Sequence, residues 1–159
     1  MNRRSPTYDG PMRREATTER TRHGESKESG PEERARDFAI EAARLLCDDK
    51  CEDVIVLDVR KLSPVSDFIV IGSGSSERQM RSVLTHVEDI GQAQGFAPFH
   101  SSRDDRATWL LADFVHVVVH IFEPNTRAHY DLEMLWGDAQ RVPWERPAGS
   151  RPKLGRATH

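Results

Sequence analysis

Apolar residues recur at helical spacing between positions 32 and 50. Phe38, Ala42, Leu45 and Leu46 fall on one side of a helix drawn through this segment, and charged residues fall on the other side. Such a stripe is typical of a helix that packs one face against a protein core. Residues 32–50 are therefore predicted to form the first helix.

A second helix is predicted to follow a loop of glycine and serine. Ser76 and Gln79, three positions apart, match the capping-box pattern with which helices begin, and Gly95 is suited to ending the helix. Its buried stripe is expected to consist of Met80, Val83, Leu84, Val87 and Ile90.

Runs of β-branched and apolar residues predict four strands. They are Val54–Asp58, Phe68–Ile71, a strand from about Thr108 to Ala112 and a strand from His116 to Phe122, with a hairpin connection at residues 113–115. In the last strand alternate side chains point to opposite faces, and nearly every position is apolar. That composition is typical of a central strand that is covered on both faces.

A last helix is predicted near the end of the apolar pattern. Asn125 or Thr126 is suited to cap it, and its expected buried stripe is Ala128, Leu132, Leu135 and Trp136. Helix, two strands, helix, strands and helix indicate a single α/β domain, in two or three layers, with a mixed β-sheet flanked by helices.

Both ends of the chain differ in composition from the segment between them. Residues 1–31 contain four apolar residues and are predicted to be a disordered tail, and residues 143–159 are predicted to be a second disordered tail, rich in Pro and Arg. The remaining domain, residues 32–142, carries 12 basic and 20 acidic residues, a net charge of −8, against −3 for the whole chain. An acidic domain repels phosphate backbones and attracts basic partners, so direct binding of nucleic acid by the core is not expected.

Composition also bears on location. The sequence has no apolar run of the roughly 18 residues that a membrane-spanning helix needs, and its first residues lack the apolar core of a secretory signal. Acidic residues in the first 31 positions argue against a mitochondrial transit peptide. The chain is therefore expected to be cytoplasmic and not to bind membranes.

Three motifs were considered as sites of chemistry. The segment Gly72–Ser76 resembles an anion-binding loop at a helix start, but it lacks the spacing of a phosphate-binding or dinucleotide motif, so a structural turn is favoured. His116 and His120 lie on one strand face about 13 Å apart, too far for one zinc ion. Two cysteines, Cys47 and Cys51, are too few for a disulfide framework. No metal or cofactor is expected.

Five segments of the chain together resemble the ribosomal silencing factors, also called the Iojap-like family. They are DVIVLDVR at 53–60, SDFIVIGSGSSERQ at 66–79, WLLAD at 109–113, VVVHIF at 117–122 and RAHYDLEMLW at 127–136. These segments occur in the family's order and at its spacing, and the resemblance covers about residues 34–140.

The resemblance implies a nucleotidyltransferase-like fold without catalytic acids, and therefore a protein that is not an enzyme. It further implies binding to the large ribosomal subunit through ribosomal protein L-fourteen, which blocks joining of the small subunit and represses translation. Carried over by position, the partner-binding residues are Trp109 as an aromatic anchor, with Asp113, His120, Tyr130 and Glu133 as polar contacts or supports.

Two departures from the family concern loops near Trp109. Residues 101–105 replace a common Glu-Gly, and Phe114, Val115 and His116 replace a hairpin that usually contains Gly. Other interpretations stay open: a large-subunit assembly factor, or a nucleotide-using enzyme at Gly72–Ser76 with Asp58, Asp67 or Asp113 as acids. The sequence leaves monomer and homodimer equally open.

Overall fold

The computed structural model describes residues 30–102 and 107–149. The helices are α1 (Pro31–Asp48), α2 (Glu77–Ala93), α3 (Pro124–Tyr130) and α4 (Leu132–Leu135). The strands are β1 (Glu52–Asp58), β2 (Phe68–Ser73), β3 (His100–Ser102), β4 (Trp109–Asp113), β5 (Val117–Phe122) and β6 (Gln140–Arg141). Positions 1–29 and 150–159, which the sequence assigns to tails, lie outside the described residues.

The strands form a mixed sheet in the order β3-β4-β5-β2-β1-β6. β2 and β5 run parallel, with Val70 beside Val119, and the other neighbouring pairs are antiparallel. β5 lies between β4 and β2, which confirms the prediction that it is a central strand. The predicted α/β class with a mixed sheet is also confirmed.

The two long helices share the main core on one face of the sheet. Phe38, Ala42 and Leu46 of α1 are fully buried, as the apolar stripe predicted, and Leu45 is partly buried. The ring of Phe38 stacks on Phe96 at 4.8 Å between centroids. The stripe of α2 is likewise buried at Met80, Val83, Leu84 and Val87.

The predicted cap of α2 at Ser76 is confirmed, while the return bond from Gln79 goes to Ser75, one residue before the cap, and not to Ser76 itself. Ser76 Oγ accepts a hydrogen bond from the backbone N–H of Gln79 at 3.1 Å, and the Gln79 side-chain oxygen accepts from the N–H of Ser75 at 2.6 Å. Gly95, just after the helix, has a φ of +87°, which a residue without a Cβ adopts at little cost. Both ends of α2 therefore follow from local sequence.

The opposite face of the sheet carries a smaller apolar cluster. Its buried members are Ile55, Leu57, Val59, Ile69, Ile71 and Phe122. The residues that pack against them are only partly buried: Trp109, Leu132, Trp136 and Ala139. Among the described residues the helices on this side are the short α3 and α4, and side chains of β4 are left partly exposed.

The prediction of the last helix is wrong in its cap and in half of its stripe: Leu132 and Trp136 pack against the sheet, whereas Ala128 and Leu135 do not. Glu123 is the cap residue, and its carboxylate accepts from the N–H of Thr126 at 3.0 Å. Asp131 has a left-handed conformation with φ 48°, which breaks the segment into α3 and α4. The break changes the phase of the helix after Asp131, so that Leu135 is 69% exposed. Ala128, which precedes the break, is exposed on α3, where Arg127 is the buried residue.

The predicted boundary at residue 142 is too early. Trp144, which the sequence assigns to the tail, donates its indole N–H to the Val54 carbonyl at 3.1 Å. Arg146 makes two hydrogen bonds to the carboxylate of Asp48 at 2.8 and 2.9 Å. Val142 itself is buried and bonds to β1. We call residues 140–146 the C-terminal strap, because they bind the edge of β1 and the end of α1.

Two predictions on composition concern described residues. No helix in the described part of the chain is long and apolar enough to cross a membrane. Cys47 and Cys51 are both free thiols, Cys47 exposed and Cys51 buried. Burial, together with the nearby Asp49 carboxylate, raises the pKa of the Cys51 thiol to about 12, so this thiol stays protonated at neutral pH.

Candidate functional site

The half-exposed face of β4 and β5 brings together several aromatic side chains. Trp109 lies directly across from Phe122 in the antiparallel register, and their rings stack at 4.9 Å with an angle of 29°. His120 is 5.9 Å from the Trp109 ring. Tyr130, at the end of α3, places its ring 4.8 Å from Trp109. We call these four residues the Trp109 cluster.

The cluster forms because residues two positions apart on a strand share a face. Trp109 is thereby on the same face as Leu111 and Asp113, while Leu110 and Ala112 point into the main core. Across β5, His120 and Phe122 share the face of Trp109. Trp109 is partly buried, whereas Tyr130 covers it and is itself 54% exposed.

His120 lies nearly buried within this cluster. Its Nδ1 accepts a hydrogen bond from the indole Nε1–H of Trp109 at 3.1 Å, and the side chain is only 8% exposed. Burial lowers the pKa of His120 to about 4, although the carboxylate of Asp113 acts in the opposite direction. The imidazole is therefore neutral at neutral pH.

Glu133 is engaged with a buried arginine. Arg127 Nη2 bonds to Glu133 Oε2 at 2.8 Å, and Arg127 Nη1 donates to Ser73 Oγ at 2.8 Å. Partial burial of Glu133 raises its pKa, but the bond to Arg127 and its charge outweigh this and hold the pKa below its usual range. Glu133 thus links α4 to α3 and to the end of β2.

Asp113 has a local structural contact at the far end of β4. Its Oδ1 accepts from the backbone N–H of Val115 at 2.8 Å, within the hairpin to β5. Asp113 lies four positions along the strand from Trp109, a distance of about 13 Å. Of the five residues selected from the sequence, the structure brings Trp109, His120 and Tyr130 together. Asp113 is instead bound within the hairpin, and Glu133 is bound to Arg127.

Two exposed apolar residues that the sequence pattern did not predict follow Tyr130 in the chain. Met134 is 76% exposed and Leu135 is 69% exposed, both on the short α4 that follows Tyr130. The spacing of Leu132 and Leu135 predicts one continuous helix with both side chains buried. Asp131, a residue type that tolerates the left-handed region, was the signal for the break that turns these side chains outward.

The glycine–serine loop does not resemble an open phosphate cradle. The N–H of Gly74 donates to the Phe122 carbonyl at 2.8 Å, and the N–H groups of Ser75 and Gln79 are also bound, to Gln79 and Ser76. A Cβ on Gly74 would lie 2.2 Å from Met80 Cγ, so this glycine is required by packing inside the protein. These contacts favour a structural turn.

The three carboxylates considered for an enzyme are bound in different places. Asp58 pairs with Arg60 at 2.6 Å, and this hydrogen bond holds the pKa of Asp58 below its usual value. Asp67 contacts His116 Nδ1 at 3.2 Å, and Asp113 caps its hairpin. Among the described residues no group of three or more His, Cys, Asp or Glu side chains is placed to hold a metal ion.

Known proteins resemble this chain over most of its described length. The family described as "Ribosomal silencing factor during starvation" matches residues 32–158. The ribosomal silencing factor of Bacillus subtilis is 37% identical over 101 residues, which are 63% of this chain and 86% of that protein. Its counterpart in Halalkalibacterium halodurans is 36% identical over 104 residues, 65% of this chain and 89% of that protein.

A solved structure and a mouse protein are also similar to this chain. A crystal structure of a Chromobacterium violaceum protein matches with a TM-score of 0.59 and 32% identity, and covers 72% of this chain and 92% of that one. A Mus musculus protein named for mitochondrial assembly of the ribosomal large subunit is 30% identical over 95 residues, 58% of this chain and 42% of that protein. The chain belongs to the ribosomal silencing factor, or Iojap-like, family.

Proposed function

We propose that this protein binds the large ribosomal subunit through ribosomal protein L-fourteen and thereby prevents the small subunit from joining it. The observation that supports this most is the Trp109 cluster. A half-buried Trp in ring contact with a half-exposed Tyr is the kind of aromatic surface that protein interfaces use, and the exposed Met134 and Leu135 follow Tyr130 four and five positions later in the chain.

Charge supports a basic partner for this surface. Residues 32–142 have a net charge of −8, and ribosomal proteins that contact RNA are basic as a class. Complementary charge accelerates association and selects the partner, while the aromatic anchor supplies affinity. In this proposal the protein acts in the cytoplasm, by occupying a surface and not by catalysis, and its relatives are named as silencing factors.

Cosedimentation of the full-length protein with isolated large and small subunits tests the proposal. The wild-type protein is expected to move with the large subunit and to reduce subunit joining in a light-scattering assay. Trp109→Ala is expected to lose about 30-fold in affinity, because truncating a buried anchor costs about 2 kcal/mol. Failure of the wild-type protein to bind large subunits would contradict the proposed function.

A matched control keeps the interpretation specific. Phe99 is another large aromatic residue, 76% exposed, that pairs through its backbone with Asp113 at the other end of β4. Phe99→Ala is expected to bind as the wild type does. Equal losses in both variants would argue that the anchor lies elsewhere.

A second candidate function is assembly of the large subunit, which the name of the mouse relative favours. An assembly factor binds precursor particles in preference to finished ones. Affinity purification of the tagged protein, followed by analysis of the ribosomal RNA that comes with it, separates the two. Mature RNA supports silencing, and unprocessed RNA alone supports assembly.

A further inference from the structure

The hydrogen bond between Trp109 and His120 determines which nitrogen of the imidazole carries the proton. The indole Nε1–H can only donate, so His120 Nδ1, at 3.1 Å, must accept through its lone pair. A neutral imidazole has a single N–H, which is therefore on Nε2. Since the low pKa of about 4 keeps the ring neutral, this tautomer is the one present at neutral pH.

The Nε2–H has no hydrogen-bond partner among the residues that the structure describes; the contact with Trp109 is the one hydrogen bond of this side chain there. His120 is nevertheless nearly buried, with 8% of its surface exposed. A donor that is buried without a partner destabilises the folded protein. Such groups in native proteins call for an explanation, and a missing binding partner is one.

The surroundings of His120 offer this donor no acceptor on the sheet. Its cross-strand neighbours are Leu111 on β4 and Ile71 on β2, both apolar. The carboxylate of Asp113, whose charge acts on the ring, accepts from the N–H of Val115 and makes no hydrogen bond to the imidazole. His120 and Phe122 lie on the same face of the sheet, which is the face opposite α1 and α2. The proposed partner surface is on that face.

We propose that His120 donates its Nε2–H to an oxygen acceptor of the bound partner protein, and that Trp109 holds His120 in the tautomer that donates. The acceptor is a backbone or side-chain carbonyl or carboxylate oxygen. A neutral donor suits a basic partner, because an imidazolium would add repulsion between like charges. This inference rests on the proposed function and specifies the chemistry of that same surface.

Two substitutions at position 120 separate the two nitrogens of the ring. In His120→Gln the side-chain amide nitrogen reaches the position of Nε2 and keeps a donor there. In His120→Asn the amide reaches only the position of Nδ1, so the contact with Trp109 is kept and the outward donor is lost. The full-length variants are compared with the wild type by quantitative cosedimentation with isolated large subunits.

The expected result is a loss of about tenfold for His120→Asn and less than about threefold for His120→Gln, since an unmet hydrogen bond costs about 1–3 kcal/mol. Wild-type affinity in His120→Asn would overturn the inference, as would equal losses in both variants. If the wild type itself does not bind, the proposed function fails, and that outcome is distinct from either of these.

Nuclear magnetic resonance on the free, ¹⁵N-labelled protein tests the tautomer without any ribosome. The ring of His120 is expected to show a protonated Nε2 and an unprotonated Nδ1. In Trp109→Phe, which keeps an aromatic ring but lacks the N–H donor, the other tautomer is expected to become populated. A proton on Nδ1 in the wild type, or an unchanged tautomer in Trp109→Phe, would overturn the role given to Trp109.

Discussion

At the scale of single residues, Val115 has a backbone conformation that its side chain disfavours. Its φ is 76°, and the N–H of His116 bonds to the Phe114 carbonyl at 3.0 Å. An i to i+2 bond around a positive φ is the γ-turn that is rare and strained. A β-branched residue there is a genuine outlier. The sequence shows that the family's usual Gly is absent from this hairpin. The backbone strain at Val115 is visible only in the structure.

Val115→Gly is therefore expected to stabilise the protein by about 1 kcal/mol. Relief of the positive φ is expected to outweigh both the backbone entropy that Gly adds to the unfolded chain and the lost burial of the Val115 side chain, which is 39% exposed. Urea unfolding followed by circular dichroism measures the change. Val65→Gly, at an exposed loop position without a positive φ, is the control and is expected to destabilise the protein. A lower stability in Val115→Gly would mean that the turn is not strained.

At the scale of elements, the angle between α3 and α4 depends on Arg127. This side chain is 8% exposed and bridges Ser73 at the end of β2 to Glu133 on α4. It thereby stabilises the break at Asp131 and the position of Tyr130 over Trp109. Short helices have little stability of their own, so a tertiary contact of this kind determines their geometry.

Arg127→Met is expected to lower the free energy of unfolding by about 2 kcal/mol, since it leaves the partly buried Glu133 carboxylate without its partner. Hydrogen exchange in residues 124–135 is expected to become faster before exchange in α1 and α2 changes. Arg78→Met, on the exposed side of α2, is the control and is expected to have little effect. Unchanged exchange at Tyr130 in Arg127→Met would contradict this role.

At the scale of the whole molecule, the C-terminal strap belongs to the folded unit. Trp144 packs on the main core, donates to Val54 and accepts from Arg44 Nε at 2.7 Å through its carbonyl. Its indole occupies the edge of β1 beyond the short strand β6, where an open edge would otherwise be free to pair. The strap therefore closes the sheet at this side and fixes it to α1.

Trp144→Ala is expected to lower the midpoint of thermal unfolding by about 8 °C or more, because loss of a packed aromatic residue and of one hydrogen bond costs about 2–3 kcal/mol. Trp144→Phe loses only the hydrogen bond and part of the ring system. Its unfolding midpoint is expected to lie between those of the wild type and Trp144→Ala. Leu135→Ala, at a 69% exposed position, is the control and is expected to unfold near the wild-type temperature. Equal midpoints for Trp144→Ala and Leu135→Ala would place the strap outside the cooperative unit.

The sequence by itself determined the parts of this protein that depend on local periodicity. The stripes of α1 and α2, the cap at Ser76 and the apolar β5 each follow from spacing or from a short-range hydrogen bond. The family also followed from the order of its segments. These features need no knowledge of which elements pack together.

Tertiary structure alone decided the features that depend on long-range contacts. The phase of α4 changed at one left-handed residue, Asp131, so Leu135 turned outward. Trp144 became part of the core through a bond to Val54, 90 positions earlier in the chain. The tautomer of His120 depends on Trp109 across a strand pair. A pattern of residues along the chain cannot specify such partners, because their energies arise only once the sheet has brought them together.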